Sequence, residues 1–298
     1  MVSTHLEPYS GHFIDQRHRE LTEELLAWSL RLCSCRRGAS WHARTAFLAA
    51  TFEVHCAPAD AAFWESLLCG KYCTYFFIVD DAPREEVTDL ADRLRTGRPA
   101  ASSELGAVHR KLLDDFRAGG LSAARLETEI AEFCSAVSTE GLHDVHTMTW
   151  EQFHALRRAT VGTHPYITCW RILRGLLDAE HIAESEVLVD LAVEAAYLTN
   201  DLASLTKELH ADEDGAYATS NWVRFHARSS NDLNEAVHAA VTRYNHIVET
   251  FRQAGHKQLV RLLSSFADGN LSSYFCLTAT RYPDAEETLH GLLRITQE

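Results

Sequence analysis

An amide, a hydroxyl and a carboxylate recur at four-residue spacing in the second half of the chain, at Asn200, Ser204 and Glu208. Residues four apart on an α-helix lie one above the other, so a single helix face would carry all three side chains. Such hard oxygen donors, too few to fill a coordination shell, suit Mg²⁺, whose remaining positions go to water and substrate phosphate. Lys207 adds a compact positive charge beside Glu208. The spacing therefore predicts a Mg²⁺-dependent phosphate site.

A solvated helix face is the alternative interpretation of this row, because polar stripes on helices usually face water. The preceding residues 188–198 are largely apolar on every side of the helix predicted over 185–210. Polar groups that end a buried helix need partners. The apolar surroundings therefore favour a site over a solvated face.

Two adjacent carboxylates, Asp80 and Asp81, end another apolar stretch, and Glu85 follows four residues later. Phe76 and Phe77 come just before them and favour burial. Neighbouring carboxylates repel each other unless a cation neutralises them. This segment is interpreted either as a second metal-binding site or as a capping acid with a surface neighbour.

Helical periodicity dominates the whole chain, and no convincing strand alternation is present. A glycine and a proline at 162–165 predict a kinked or broken helix. No repeat or linker divides the chain, which predicts one α-helical domain over 1–298. The predicted helices span 11–32, 41–54, 61–81, 83–97, 102–118, 122–137, 150–162, 166–177, 185–210, 231–254 and 257–282. Asp60 is the expected cap of the helix over 61–81.

Composition excludes several classes of protein. The 298 residues carry a formal net charge of −14, which argues against nucleic acid or an anionic membrane as the main partner. No apolar run is long enough to span a bilayer, and the polar N-terminus resembles neither a signal nor a transit peptide. Eight scattered cysteines without a CxxC pair predict reduced, buried thiols rather than disulfides or zinc. A cytoplasmic protein is expected.

With these residues in view, the chain resembles the class I terpene synthases of the microbial, single-domain type. Residues 80–85, DDAPRE, resemble the family's aspartate-rich motif in its DDxxxE variant. Residues 200–208, NDLASLTKE, resemble its NDxxSxxxE motif, including the frequent Lys before the Glu. The second motif is long and specific, and the first is short. The resemblance covers most of the chain, from about residue 52 to residue 282.

Two further segments carry the resemblance. Arg281 and Tyr282 resemble the C-terminal Arg-Tyr pair that hydrogen-bonds diphosphate in the family. Arg157 stands where the family keeps a diphosphate-sensing arginine, shortly before a helix break. By that resemblance, Thr160 is the linker and Val161 the effector, whose backbone carbonyl reaches into the pocket.

The chain also departs from the family pattern. Under the commoner DDxxD spacing the last position is Arg84, which cannot bind a cation, so Glu85 must serve instead. Asp80 is the preferred metal ligand, and the alternative for Asp81 is that it holds a basic neighbour. Arg158 is the alternative to Arg157 as the sensor.

The resemblance implies an all-α, class I terpenoid synthase-like helical bundle around a deep apolar pocket. It implies three Mg²⁺ ions between Asp80 and the Asn200 row, a prenyl diphosphate as substrate, and its ionisation and cyclisation to a terpene with release of diphosphate. Farnesyl diphosphate is the expected substrate, with geranylgeranyl diphosphate second. The residues expected at the pocket are Phe76, Phe77, Val161, Gly162 and Tyr274.

Three other interpretations are retained. A chain-elongating prenyltransferase would need a second aspartate-rich motif, and residues 200–208 take that place instead. A non-catalytic prenyl-diphosphate binder is compatible with Arg84. A helical interaction protein would require all four matching segments to be coincidental. The oligomeric state is left open, with a homodimer as one alternative.

Overall fold

The fold is known from a computed structural model. It describes residues 6–9, 11–32, 37–98, 103–140, 142, 147–177, 182–213, 220–230, 232–254, 257–277, 282, 288–289 and 291–292. Across these residues the regular structure is helical and contains no strand. The expectation of an all-α protein is therefore confirmed.

Twelve α-helices follow a short 3₁₀ turn at Glu7–Tyr9 in the described part of the chain. They are α1 Gln16–Leu32, α2 Ala39–Cys56, α3 Phe63–Asp80, α4 Arg84–Thr96, α5 Glu104–Ala118, α6 Ala124–Glu140, α7 Trp150–Thr160, α8 Thr163–Leu173, α9 Ile182–Glu213, α10 Trp222–Ser230, α11 Leu233–Gln253 and α12 Gln258–Leu277. None of these helices, as far as the structure describes them, is both long and apolar enough to cross a membrane.

The chain divides into two compact units. The first comprises Met1–Ser138 and Pro165–Leu177, and the second comprises Thr139–His164 and Asp178–Glu298. The boundary crosses the chain three times, after Ser138 in α6, after His164 in α8 and after Leu177, rather than once at a linker. A single functional domain over 1–298 stays a prediction.

In the first unit, α1, α2 and α3 pack against one another. Helix α3 meets α1 closely at Gly70, where a Cβ atom would lie 3.0 Å from Leu25 Cδ1. Leu21 and Leu25 of α1 are fully buried. Hydrophobic burial of this kind stabilises a fold by about 25 cal/mol for each Å² of apolar surface removed from water. The core of this unit therefore combines α2 and α3, which are buried over most of their circumference, with the apolar face of the amphipathic α1.

In the second unit, α9 packs against α7, α10, α11 and α12. This 32-residue helix is buried almost continuously from residue 192 to residue 205. The apolar run 188–198 predicted a helix of this kind, surrounded by other helices. The polar row, from Asn200 to Glu208, therefore overlaps the end of the buried length of α9.

The predicted interruption between 162 and 165 is confirmed. Helix α7 ends at Thr160, and α8 begins at Thr163. Gly162 lies between them with φ 66°, a left-handed conformation that other residues adopt at a cost. Pro165 falls in the first turn of α8, where its missing N–H has no helical partner to lose. The second helix therefore starts before the proline, at 163 rather than the predicted 166.

Two local predictions were wrong. Asp60 does not cap α3; Glu65 Oε2 instead accepts a hydrogen bond from Ala62 N at 2.7 Å, and Asp60 pairs with Arg174. Helix α10 was not predicted at all, although Asn221 caps it by accepting from the backbone N–H groups of Val223 and Arg224. An asparagine before an amphipathic run is a usable signal for a helix start.

Candidate active site

Helix α9 presents Asn200, Ser204 and Glu208 in one row. Ser204 Oγ donates a hydrogen bond to Glu208 Oε1 at 2.6 Å, which shows that the lower two side chains meet on the same face. Asn200 and Glu208 are half-buried and Ser204 is buried. The row therefore lies at the edge of the buried part of the helix, where a solvated ligand can reach it.

The amide of Asn200 is held in one orientation. Its Nδ2 donates to the hydroxyl of Tyr274 at 2.7 Å, and its Oδ1 accepts from Arg157 Nη2 at 2.7 Å. Tyr274 belongs to α12 and is only 4% exposed. Because one end of the amide needs an acceptor and the other a donor, these two partners fix which atom is which. The Asn200 oxygen therefore faces the guanidinium.

Arg157 of α7 and Asp201 of α9 form a buried ion pair. Arg157 Nε donates to Asp201 Oδ1 at 2.9 Å, Nη2 also donates to Oδ1, and Trp222 N donates to Oδ2 at 2.7 Å. Burial raises the pKa of the Asp201 carboxyl to about 6, while Arg157 and the Trp222 N–H favour its charged form. Burial alone would lower the pKa of Arg157, but Asp201 outweighs it and raises it. The pair is therefore ionic at neutral pH.

The structure distinguishes the two candidate sensor arginines. Arg157 contacts Asn200 and Asp201, whereas Arg158 is paired with Asp190 and lies 3.3 Å from His164 Nε2. Of the two, Arg157 is the one adjacent to the row.

Arg157 is linked directly to the helix break. Its Nη1 donates to Thr160 Oγ1 at 3.3 Å, and its carbonyl oxygen accepts from Val161 N at 3.2 Å. Gly162 follows with its positive φ. A displacement of the guanidinium would therefore affect the chain within four residues, at Val161, the position that the family resemblance assigns to the effector.

Asn221 contacts the row but was missed in the sequence. Its Nδ2 donates to the carbonyl oxygen of Asp201 at 2.9 Å and to Glu208 Oε2 at 3.0 Å. It lies beyond the motif, on another helix, so motif spacing does not indicate it. The signal available in the sequence was Asn221 as a candidate cap at the start of α10.

The donor set of the row fits a hard divalent cation. An amide oxygen, a hydroxyl and a carboxylate are ligands that Mg²⁺ accepts, with water and phosphate completing its shell. No group of three His, Cys, Asp or Glu side chains gathers like a metal site within the described residues. The row differs from such a group because Asn200 and Ser204 supply two of its three donors. Lys207, the next residue to Glu208, is exposed.

The aspartate-rich segment lies in the first unit, where α3 ends and α4 begins. Asp80, Asp81 and Glu85 are all exposed. Asp81 Oδ2 accepts from Trp41 Nε1 at 2.8 Å and lies 3.5 Å from Arg37 Nη1. This is the arrangement stated as the alternative for Asp81, a carboxylate that holds a basic neighbour.

The aromatic residues singled out from the sequence have aromatic neighbours. Phe76 stacks on Phe133 with ring centroids 5.4 Å apart, and also meets Phe77 edge-on. Tyr274 packs edge-on against Tyr282, with ring centroids 5.2 Å apart. Arg281 lies outside the described residues.

Six of the eight cysteines lie in the described part of the chain, and none of these six forms a disulfide. Cys56, Cys69, Cys73, Cys134 and Cys169 are buried, and Cys276 is exposed. Burial raises the pKa of Cys134 to about 12, which keeps it a neutral thiol. The five buried cysteines therefore pack as small apolar side chains, as predicted, whereas the prediction of a buried thiol was wrong for Cys276.

Comparison with known families gives one sequence match. The family model described as terpene synthase family 2, C-terminal metal binding, matches residues 71–250, which is more than half of the chain. The matched segment includes both 80–85 and 200–208. No curated protein matches the chain in sequence.

Solved structures give the fold. A protein named SVS_A2, obtained by ancestral sequence reconstruction, matches with a TM-score of 0.70 and 19% identity over 96% of this chain and 89% of that chain. 2-Methylisoborneol synthase from Streptomyces coelicolor A3(2) matches with a TM-score of 0.66 and 16% identity over 91% and 92% of the two chains. Linalool/nerolidol synthase from Streptomyces clavuligerus, in complex with 2-fluorogeranyl diphosphate, matches with a TM-score of 0.60 and 15% identity over 87% and 97%. The chain therefore has the helical fold of these synthases.

Proposed function

The chain belongs to terpene synthase family 2, and on that premise we propose that it ionises and cyclises a linear prenyl diphosphate, releasing diphosphate. The observation that carries the proposal is the row Asn200, Ser204 and Glu208 on α9 with Arg157 beside it. Hard oxygen donors next to a buried guanidinium suit a metal-bound diphosphate better than any other common ligand.

The metal ligands in this proposal are Asn200, Ser204 and Glu208 and, by the family resemblance, Asp80 and Glu85. Asp81 is the weaker candidate, because Trp41 already holds its Oδ2. Bound Mg²⁺ ions, three by family resemblance, would neutralise diphosphate and stabilise it as a leaving group.

The residues that contact diphosphate are, in this proposal, Arg157, Lys207, Arg281 and Tyr282. The geometry at Arg157 supports its role: Nη2 lies 2.7 Å from Asn200 Oδ1, so a diphosphate bound at the row would be next to the guanidinium. Its contacts with Thr160 and Val161 would then transmit diphosphate binding to the helix break.

Farnesyl diphosphate is the proposed substrate, with geranylgeranyl diphosphate as the second candidate. Linalool/nerolidol synthase, which shares the fold, is described with 2-fluorogeranyl diphosphate, which supports a prenyl diphosphate as the substrate class. Aromatic side chains such as Phe76, Phe77 and Tyr274 would stabilise carbocations by cation–π attraction. We further propose that residues 1–298 act as one domain, since the family match runs through both units.

A product scan tests the proposal. The protein is incubated with Mg²⁺ and, separately, geranyl, farnesyl and geranylgeranyl diphosphate, and products are identified by gas chromatography and mass spectrometry. A terpene from farnesyl diphosphate, absent with EDTA and with Asn200→Ala, is the expected result. No product from any substrate, together with thermal stabilisation by diphosphate, would instead identify a non-catalytic binder.

A further inference from the structure

Asn221 uses every hydrogen-bonding position that an asparagine side chain has. Its Oδ1 accepts from Val223 N at 2.9 Å and from Arg224 N at 3.3 Å. Its Nδ2 donates to Asp201 O at 2.9 Å and to Glu208 Oε2 at 3.0 Å. The residue is 0% exposed, so none of these bonds competes with water.

The cap on α10 does not explain why this residue is an asparagine. Serine, threonine and aspartate accept the same N–H bonds at a helix start about as well. Only an amide of this length also supplies two donors pointing away from the cap. The residue type is therefore explained by Asp201 and Glu208, which receive those donors.

The two acceptors lie seven residues apart on α9, or about two helical turns. One bond from Asn221 ends at the backbone carbonyl of Asp201, the residue that pairs with Arg157. The other ends at the carboxylate of Glu208, at the end of the row. Glu208 thus has both oxygens engaged, Oε1 by Ser204 Oγ at 2.6 Å and Oε2 by Asn221. The plane of its carboxylate is fixed by these two bonds.

We propose that Asn221 is a positioning residue that orients Glu208 for a divalent cation. It does not touch the metal, but it holds the ligand in place and ties the start of α10 to the row. Groups that hydrogen-bond metal ligands in this way change metal affinity by roughly 10–100-fold when they are removed. The inference rests on the part of the proposed function in which the row binds metal.

The test compares three variants. Asn221→Ser and Asn221→Asp keep an oxygen for the cap of α10 and remove both donors; in Asn221→Asp a carboxylate also faces Glu208. Asp232→Ala is the control, because Asp232 caps a different helix, α11, by accepting from the backbone N–H groups of Asn234 and Glu235. Mn²⁺, a hard cation that accepts the same ligands, is titrated by electron paramagnetic resonance in the presence of inorganic diphosphate.

The expected result is a rise of roughly 10–100-fold in the apparent Kd for Mn²⁺ in both Asn221 variants, with little change in Asp232→Ala. Melting temperatures measured in EDTA show how much each variant loses in stability alone. An unchanged Mn²⁺ affinity in folded Asn221→Ser would overturn the inference, and so would a wild-type protein that binds no Mn²⁺. If the contrast is found but no terpene is formed, the positioning role stands and the proposed catalysis fails.

Discussion

At the scale of single residues, the central feature is a buried ion pair in the second unit. Arg157 and Asp201 are both buried, and they compensate each other within hydrogen-bonding distance. Removing two charges from water is costly, and their pairing, the Trp222 N–H and the bonds from Arg157 to Asn200 and Thr160 offset that cost. The pair therefore keeps a guanidinium beside Asn200 before any ligand arrives.

Asp201→Asn should lower the free energy of unfolding by about 3–5 kcal/mol, because it leaves the buried Arg157 charge uncompensated. The measurement is chemical denaturation at neutral pH. Asp190→Asn is the matched control, since it removes the partner of the more exposed Arg158 and should cost about 1 kcal/mol or less. Equal losses in the two variants would contradict the assigned role of the buried pair.

At the scale of elements, the break between α7 and α8 lies a few residues after Arg157. The break was predictable from sequence because glycine and proline act locally on the backbone. The buried length of α9 was predictable for a similar reason, since its periodicity is local. These two features account for the positions of Arg157 and of the row on α9.

The contacts that complete the site were not predictable from local patterns. Asn221 reaches Glu208 across 13 residues, and Trp41 reaches Asp81 across 40. Neither pair forms a motif, because the chain must fold before the partners meet. The sequence predicts the candidate ligands, and only the fold shows which residues contact them.

Gly162→Ala should destabilise the protein by about 1–2 kcal/mol, because φ 66° is unfavourable for a residue with a Cβ atom. Gly38→Ala is the control, since Gly38 has φ −66° and its Cβ would approach no atom closer than 3.9 Å. Thermal or chemical denaturation measures both. If Gly162→Ala were no more destabilising than Gly38→Ala, the break would not depend on the glycine.

At the scale of the whole molecule, the net charge of −14 opposes an anionic substrate at long range. In the proposed function, binding of diphosphate would therefore depend on local cations, namely Arg157, Lys207 and bound metal. The first unit shows a different electrostatic feature, a histidine kept neutral by packing. His18 Nδ1 accepts from Ile14 N at 3.3 Å, and its Nε2 lies 3.2 Å from Thr51 Oγ1, so protonating Nδ1 would set a hydrogen against an N–H group.

Stability should consequently fall in mild acid. Burial lowers the pKa of His18 from 6.5 to about 4. Between these values the unfolded chain binds a proton that the folded chain does not, so this residue's contribution is lost as pH falls and levels off at about 3 kcal/mol. The difference in unfolding free energy between wild type and His18→Gln should shrink over this window. A difference in unfolding free energy that does not change with pH would contradict this prediction. His238→Gln, at an exposed position, is the control for the loss of an imidazole.

In the proposed function, the row on α9 binds the metal that activates diphosphate. The most direct test of this claim is the rate of inorganic diphosphate release from farnesyl diphosphate and Mg²⁺ in Glu208→Gln and in Glu194→Gln. Glu194 is a carboxylate on the same helix that pairs with Arg243 at 2.6 Å. We predict that Glu208→Gln lowers the rate by roughly 100-fold, whereas Glu194→Gln stays within a few-fold of wild type. Wild-type release by Glu208→Gln, or equal losses in both variants, would contradict the account.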